Sequence, residues 1–561
     1  MKVCHPILAC LLAAAVAIVG AKQPARLQDY VKPIAYHLFM SFDRENPKAT
    51  QDAGVSLSFE VTKDDVTAFN LHAHKLYVKK VTLFDDGDSV GKDVKFSMDT
   101  GKQFLQLSGF PNPLKIGKRY GLSIQYTYSV NEKLGAFTSP NYHVATKFHG
   151  VKARTAFPCL DEPRFKATFQ LVVSVSHKNH KSQRHTAVSN TRQTGLIIRS
   201  TGETITYFDV TPPMSTYLLF FAVPRATLAK HTSDKSSPQV TMYGVATKND
   251  KKRSANFVRS AILFYNKLIG VDNPLPKVDF VTDGTRVSME NWGAFYGSSS
   301  SLIILHNAAH NPFGNMVTAQ WWDDIWLHEG LASYATILGM TPLGVGNTEL
   351  ALLQSSAQVA KVYTSDPMAL SSDDQFPNYG ALVYEKGRSV LRMFEFMLGG
   401  RAAFLAKLGQ FVKSNMFGSV TSHDFIKEVS GGNADVMAVM RDFVFQGGLP
   451  TLEIGYDARF KQFVFKQKSG ITRGRLSKQT WTIPIFYSVD GKLQAQPMLF
   501  PKPASSNVEY RVPIMKGKAP ADYEFNPRLI APIQISAESD AKFKYPTLQE
   551  IENIASPVQD F

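Results

Sequence analysis

Cysteine is almost absent from this chain, with three in 561 residues. Two of them, Cys4 and Cys10, lie where Lys2 precedes an apolar run from Ile7 to Ala21 that closes on Val19-Gly20-Ala21. Residues 1–21 are expected to be a secretory signal peptide, since the run falls short of the roughly twenty apolar residues a membrane span needs. The alternative is an uncleaved signal anchor that tethers the chain. Removal of the signal leaves Cys159 alone, which excludes an internal disulfide and puts the burden of stability on the core. Later segments lack the apolar length to cross a bilayer, and no Asn-x-Ser/Thr sequon occurs, so N-glycosylation is not expected.

Acidic residues are also in deficit, 47 against 62 Lys and Arg, giving a net charge of +15. The basic residues cluster at Lys147–Arg154, His177–His185, Lys251–Arg253 and Lys461–Lys478. Solvated loops on a basic protein are the expected reading. A dedicated patch on a secreted chain would meet an anionic lipid or glycan surface, and nucleic acid is not an expected partner.

What the chain does have is a change of hydrophobic period. From about residue 30 to 225 apolar and polar residues alternate, as in Val55-Leu57-Phe59-Val61, Val94-Phe96-Met98 and Tyr120-Leu122-Ile124-Tyr126, with turn signals such as Asp86-Gly87 between runs. Period two predicts a large antiparallel β domain over 22–225. A helical pattern follows, with helices predicted from Ser254 to Ile269 and over about 349–363, 383–398, 401–415 and 434–445. A mainly helical domain is thus expected over 226–448. After Gly447-Gly448-Leu449-Pro450 strands return, with Trp481-Ile483-Ile485 alternating and Asp490-Gly491 marking a hairpin. This β unit is expected to span 449–536, followed by a polar tail over 537–561.

The helical region holds His306 and His310, separated by Asn307-Ala308-Ala309, and Glu329, with eighteen residues between it and His310. Positions four apart share one face of a helix, so both imidazoles can reach one ion. Two such histidines are often incidental. The metalloprotease pattern is His-Glu-x-x-His, in which the Glu takes a proton from water on the metal. Here that position is Asn307, and an amide is not basic enough for the task.

Several motifs in order resemble the aminopeptidase N-like family of gluzincin zinc metallopeptidases. Ala153-Arg154-Thr155-Ala156-Phe157-Pro158-Cys159-Leu160-Asp161-Glu162-Pro163 is similar to the family's A-R-x-x-F-P-C-x-D-E-P. Met214-Ser215-Thr216-Tyr217-Leu218 matches M-S-T-Y-L, and Ser288-Met289-Glu290-Asn291-Trp292-Gly293 resembles G-A-M-E-N-W-G. Trp321-Trp322-Asp323-Asp324 with Leu327-His328-Glu329-Gly330, and Tyr384-Glu385-Lys386-Gly387, complete the set. The resemblance runs from about residue 30 to 535. It implies an α+β multidomain fold: a β saddle domain, a thermolysin-like mainly helical catalytic domain and a small C-terminal β-sandwich. The family's large C-terminal helical domain would be absent here, leaving a more open cleft.

The resemblance also implies roles. His306, His310 and Glu329 would hold one zinc ion. Glu290, with Ser288 and Met289 beside it, would hold the amine of a peptide or protein N-terminus, and Tyr384 would donate to the tetrahedral oxyanion. The departures concern the same functions. Asn307 removes general-base help worth roughly a hundred- to ten-thousand-fold in rate. Lys147 stands at the position of a second amine ligand, a Gln, where its charge would oppose a substrate ammonium unless it swings to solvent or pairs with Glu290. Val287-Ser288 replaces Gly-Ala. Pro312 stands where the family has a helical Trp, and is expected to end the metal helix near His310 and push Asn311 out of helical geometry, either displacing His310 or stopping the helix one turn early with His310 still in place. Only twelve residues, Ala294 to Leu305, separate Gly293 from His306, so a short helix capped within Ser298–Ser301 is expected. The expectation is a degenerate, impaired or inactive member with a peptide-binding or decoy role. The alternative is a working zinc aminopeptidase.

Overall fold

A computed structural model describes residues 25–551, apart from 87, 132, 140–141, 178–186, 226–229, 233–236, 245–247, 283–287, 362–367, 369–381, 470–478, 504–507, 538–540 and 548. The signal segment, Gly87, Val287 and most of the His177–His185 cluster lie outside these residues.

Alternation in the first 210 residues produces an eight-stranded sheet. Its order is Gln193–Arg199, Glu203–Phe208, Thr168–Ser176, Val31–Asp43, Gln51–Val61, Arg119–Tyr128, Tyr77–Asp85 and Lys92–Asp93. Along Gln51–Val61 every second residue is buried, so Val55, Leu57, Phe59 and Val61 all point into one core. The sheet is not wholly antiparallel as predicted, because Val31–Asp43 pairs parallel with Thr168–Ser176 in the register Leu38 opposite Leu171. Period two reports burial of one face and is silent on strand direction.

The helical predictions hold in place with shifted bounds. Helix α1 (Lys248–Ile269) begins six residues before Ser254 and ends where Gly270 takes φ +71°. It is followed by α2 (Ser301–Ala309), α3 (Trp326–Met340), α4 (Thr348–Lys361), a π-turn (Leu382–Lys386) and α5 (Gly387–Met397). Three more helices, α6 (Arg401–Ser414), α7 (Ser422–Ser430) and α8 (Ala434–Phe445), close this region. The predictions missed α3 and α7, and they missed the sheet of Lys230–Thr232, Gln239–Tyr243, Lys277–Val281 and Ala294–Tyr296 against which α1 packs.

Beyond residue 449 the strands return. Asp490 and Gly491 both have positive φ, the requirement of a type I′ hairpin, and Val489 pairs with Lys492 across it. Beyond residue 536 some of the described residues pack against the body of the chain. Phe525 N donates to Lys544 O, Phe543 is buried, and Ile551 packs on Ala357 of α4.

Candidate metal centre

Helix α2 is nine residues long because its sequence allows no more. Ser300 caps its start, accepting from Ile303 N at 3.4 Å, and Pro312 lies just past its end. The helix stops at Ala309, as predicted, but His310 is not displaced: it keeps helical φ/ψ (−65°, −20°), and its N–H still donates to His306 O at 3.1 Å. The turn that follows helps the site. His310 Nδ1 donates to the carbonyl of Phe313 at 3.0 Å, which turns Nε2 inward. The N-terminal β region clamps this turn, with Tyr217 Oη donating to Gly314 O at 3.0 Å and Lys166 Nζ to Met316 O at 2.7 Å. Burial pulls the Lys166 ammonium down to about 7.

His306 is fixed in the same way. Thr336 on α3 gives its hydroxyl proton to Ala332 O (2.7 Å), so its oxygen accepts from His306 Nδ1 (3.4 Å). Both imidazoles therefore turn Nε2 toward Glu329 in the first turn of α3. The Nε2–Nε2 distance is 3.0 Å, and Glu329 Oε2 lies 3.2 Å from His306 and 3.4 Å from His310. Three acceptors this close repel unless a proton or cation lies among them. Ligand bonds of about 2.0–2.1 Å in a tetrahedron put neighbouring donor atoms about 3.3 Å apart, so this donor set fits zinc with a fourth position open.

The protonation pattern fits the same reasoning. Burial pulls the His310 imidazole down, but the Glu290 and Glu329 charges outweigh it and hold His310 at about 9. Burial and the neighbouring His310 charge lower His306. Burial alone would raise Glu329, yet the His310 charge and the two histidine hydrogen bonds hold it well below the carboxylate range.

Asn307 is 1% exposed, and its amide is committed. Ser288 Oγ donates to Asn307 Oδ1 at 3.1 Å, and Asn307 Nδ2 returns a hydrogen bond at 3.0 Å. Ser288 is thus turned toward the helix. Met289 puts its side chain in the core and spends both backbone groups on Tyr296. Glu290 is 8% exposed, and no hydrogen bond or ion pair reaches its carboxylate from the described residues. Lys147 is partly buried rather than swung to solvent, and its ammonium feels the Glu290 and Glu329 charges without forming an ion pair with either. Tyr384, on the π-turn, places its ring 6.0 Å from that of His306.

Two other motif residues serve the scaffold. His328 accepts from Ala319 N at 2.7 Å, and burial holds it at about 3, so it stays neutral. Gly330 and Gly387 let α3 and α5 touch: a Cβ on Gly387 would lie 2.9 Å from the Cα of Gly330. Of the predicted basic clusters, Lys147–Arg154 is no surface patch at its far end, because Arg154 is 0% exposed and ion-paired with Asp161. Sequence reasoning also missed His149. It follows Lys147 by two residues and joins Glu290 and Glu329 in a second cluster of candidate ligand atoms.

The peptidase M1 N-terminal domain model matches residues 32–218, and the peptidase family M1 domain model matches residues 253–443. The chain is similar to leucyl aminopeptidase of Saccharolobus solfataricus, with 28% identity over 436 residues, 72% of this chain and 53% of that protein. It is similar to endoplasmic reticulum aminopeptidase 1 of Homo sapiens, with 27% identity over 441 residues, 71% of this chain and 45% of that protein. Puromycin-sensitive aminopeptidase of Caenorhabditis elegans is 27% identical over 521 residues, 83% of this chain and 52% of that protein. The chain spans about half the length of the curated relatives it matches.

Proposed function

The chain belongs to the M1 peptidase family, and from that premise we propose that it is a catalytically impaired member that keeps a zinc-holding triad and binds the amino termini of peptides or proteins. Asn307 carries the reading. The position that should hold a general base holds a buried amide whose two polar atoms are both tied to Ser288. Zinc bound by His306, His310 and Glu329 would polarise a peptide carbonyl and acidify a water. Asn307 is flanked by His306 and Ala308, so no carboxylate adjacent to it in sequence could take that proton instead. Glu290, buried and without a partner among the described residues, would receive a peptide ammonium, and Tyr384, its ring 6.0 Å from that of His306, would donate to an oxyanion.

The amino-terminal run from Ile7 to Ala21 supports secretion as the setting. The excess of basic residues supports contact with an anionic surface there. A β saddle, a thermolysin-like domain and a C-terminal β-sandwich are the domain reading that goes with it.

The intact triad favours a second reading, a working zinc aminopeptidase. Hydrolysis of aminoacyl anilides by the purified, zinc-loaded chain separates the two. The expected rate is no more than about a thousandth of an active relative's. A kcat/KM within about tenfold of that relative would establish the second reading. In calorimetry, a peptide with a free amino terminus is expected to bind more tightly than its N-acetylated form.

A further inference from the structure

Beside the triad lies a second constellation, built from Glu329 of the triad, Glu290 of the proposed amine pocket and a histidine that the proposed function does not use. One ligand atom each from His149, Glu290 and Glu329 fall within 4.8 Å of one another. The His149 ring is set by the walls around it, 5.4 Å from the Trp322 ring and 6.1 Å from that of Tyr217. Glu329 reaches both histidines of the triad through Oε2, which leaves its other oxygen for a neighbour on the far side. Glu290, 8% exposed, receives no hydrogen bond or ion pair at its carboxylate from the described residues. A buried carboxylate in that state is costly unless a positive group completes it.

We propose that His149, Glu290 and Glu329 form a second divalent-cation site that shares Glu329 with the first, the carboxylate bridging the two ions. One imidazole and two carboxylates suit zinc, cobalt(II) or manganese(II). Bridged pairs of such ions sit about 3.5–4 Å apart, a span one carboxylate covers with its two oxygens. The inference rests on the family reading only for the first ion, and at Glu290 the second ion would compete with a peptide ammonium. The Lys147 ammonium feels both carboxylates and opposes the second ion by charge alone, so the second site should be the weaker.

The metal-stripped chain titrated with cobalt(II) and with manganese(II), followed by calorimetry and electron paramagnetic resonance, tests this. Two ions per chain are expected, with a spin-coupled signal at saturation. His149→Ala should bind one ion and lose the coupling while keeping its melting temperature. His306→Ala/His310→Ala should keep one ion, and Lys147→Gln should tighten the second event several-fold. If the double variant instead leaves the ion count unchanged, the first site is at fault rather than the second. Saturation of the wild type at one ion, without coupling, overturns the proposal even if a variant fails to fold. So does a count of one in which His149→Ala weakens a free-amine peptide but not its acetylated form, since the pocket would then hold an ammonium.

Discussion

In the signature block the guanidinium of Arg154 gives Nε to Asp161 Oδ2 (2.9 Å) and Nη2 to Asp161 O (3.0 Å), while Thr216 donates to Asp161 Oδ1 (2.8 Å). Glu162 is equally occupied, taking Arg26 and Arg164 at one oxygen and Leu27 N at the other. Around α2, by contrast, the buried side-chain amides of Asn291 and Asn311 and the Glu290 carboxylate have no hydrogen-bond partner among the described residues. Both regions carry family motifs, and both are buried. The difference is that the first is complete within the chain, whereas the second leaves polar groups for something else to satisfy. A motif read from sequence therefore marks inheritance, and only the state of its polar atoms separates scaffold from site.

Breaking the complete region should have the largest effect. Asp161→Ala leaves the Arg154 guanidinium buried without its counter-charge, which is expected to remove about 3–5 kcal/mol of stability. Urea unfolding monitored by tryptophan fluorescence would show it. A loss below about 1 kcal/mol would mean that water reaches Arg154, and the contrast between the regions would fail.

The incomplete region should respond to pH instead. In the metal-stripped chain His310 is raised to about 9. A raised histidine contributes stability that is fully present below its unfolded value of about 6.5 and is lost as pH climbs through about 9. The melting temperature of the chelated chain is expected to fall over that window by roughly 3–8 °C, and that of the zinc-loaded chain to stay level or rise. A flat profile for the chelated chain would show that no proton lies among the three ligands.

A smaller effect is expected at the contact that seats Glu329. Gly387→Ala brings a Cβ to 2.9 Å from Gly330 Cα, which should cost about 1–3 kcal/mol by overpacking. Because Gly330 follows Glu329, zinc affinity should weaken as well. Isothermal titration with zinc tests this, and unchanged affinity would separate the glycine contact from the metal centre.

Much of this was legible in the sequence because it depends on spacing. The alternation along Gln51–Val61, the Asp490-Gly491 turn and the cap at Ser300 followed from local rules, and the triad followed from positions four apart on a helix plus one motif glutamate. What spacing could not supply was partners distant in the chain. The parallel pairing of Val31–Asp43 with Thr168–Ser176 joins strands more than a hundred residues apart. Thr336 lies two turns beyond Glu329 on the same face of α3, a signal visible only once that helix is known. His149 gave only its distance of two from Lys147. Pro312 ended the helix as its local rule requires but left two outcomes open for His310, and distant partners decided between them: the Phe313 carbonyl and the clamp from Tyr217 and Lys166 keep it in place.

The smallest expected effect is also the one that most sharpens the comparison. Asn307→Glu restores a carboxylate one residue after the first ligand, yet it should raise aminopeptidase activity by less than about tenfold. The pocket is built for an amide, since Ser288 both donates to Asn307 Oδ1 and accepts from Nδ2. A carboxylate keeps the first bond and cannot make the second. It also adds a third buried negative charge to a site that already holds Glu290 and Glu329, so the new group would be protonated more readily and less useful as a base. Lys147 still faces the substrate amine, and a misplacement of about 1 Å can cost a hundredfold even with every group present. Further gain should appear only when Lys147→Gln is added, and Pro312→Trp should add little, because His310 is already in position. Anilide hydrolysis by the three variants in series provides the check. Robust turnover from Asn307→Glu alone would show that the region around α2 is as complete as the one around Arg154, lacking only its base.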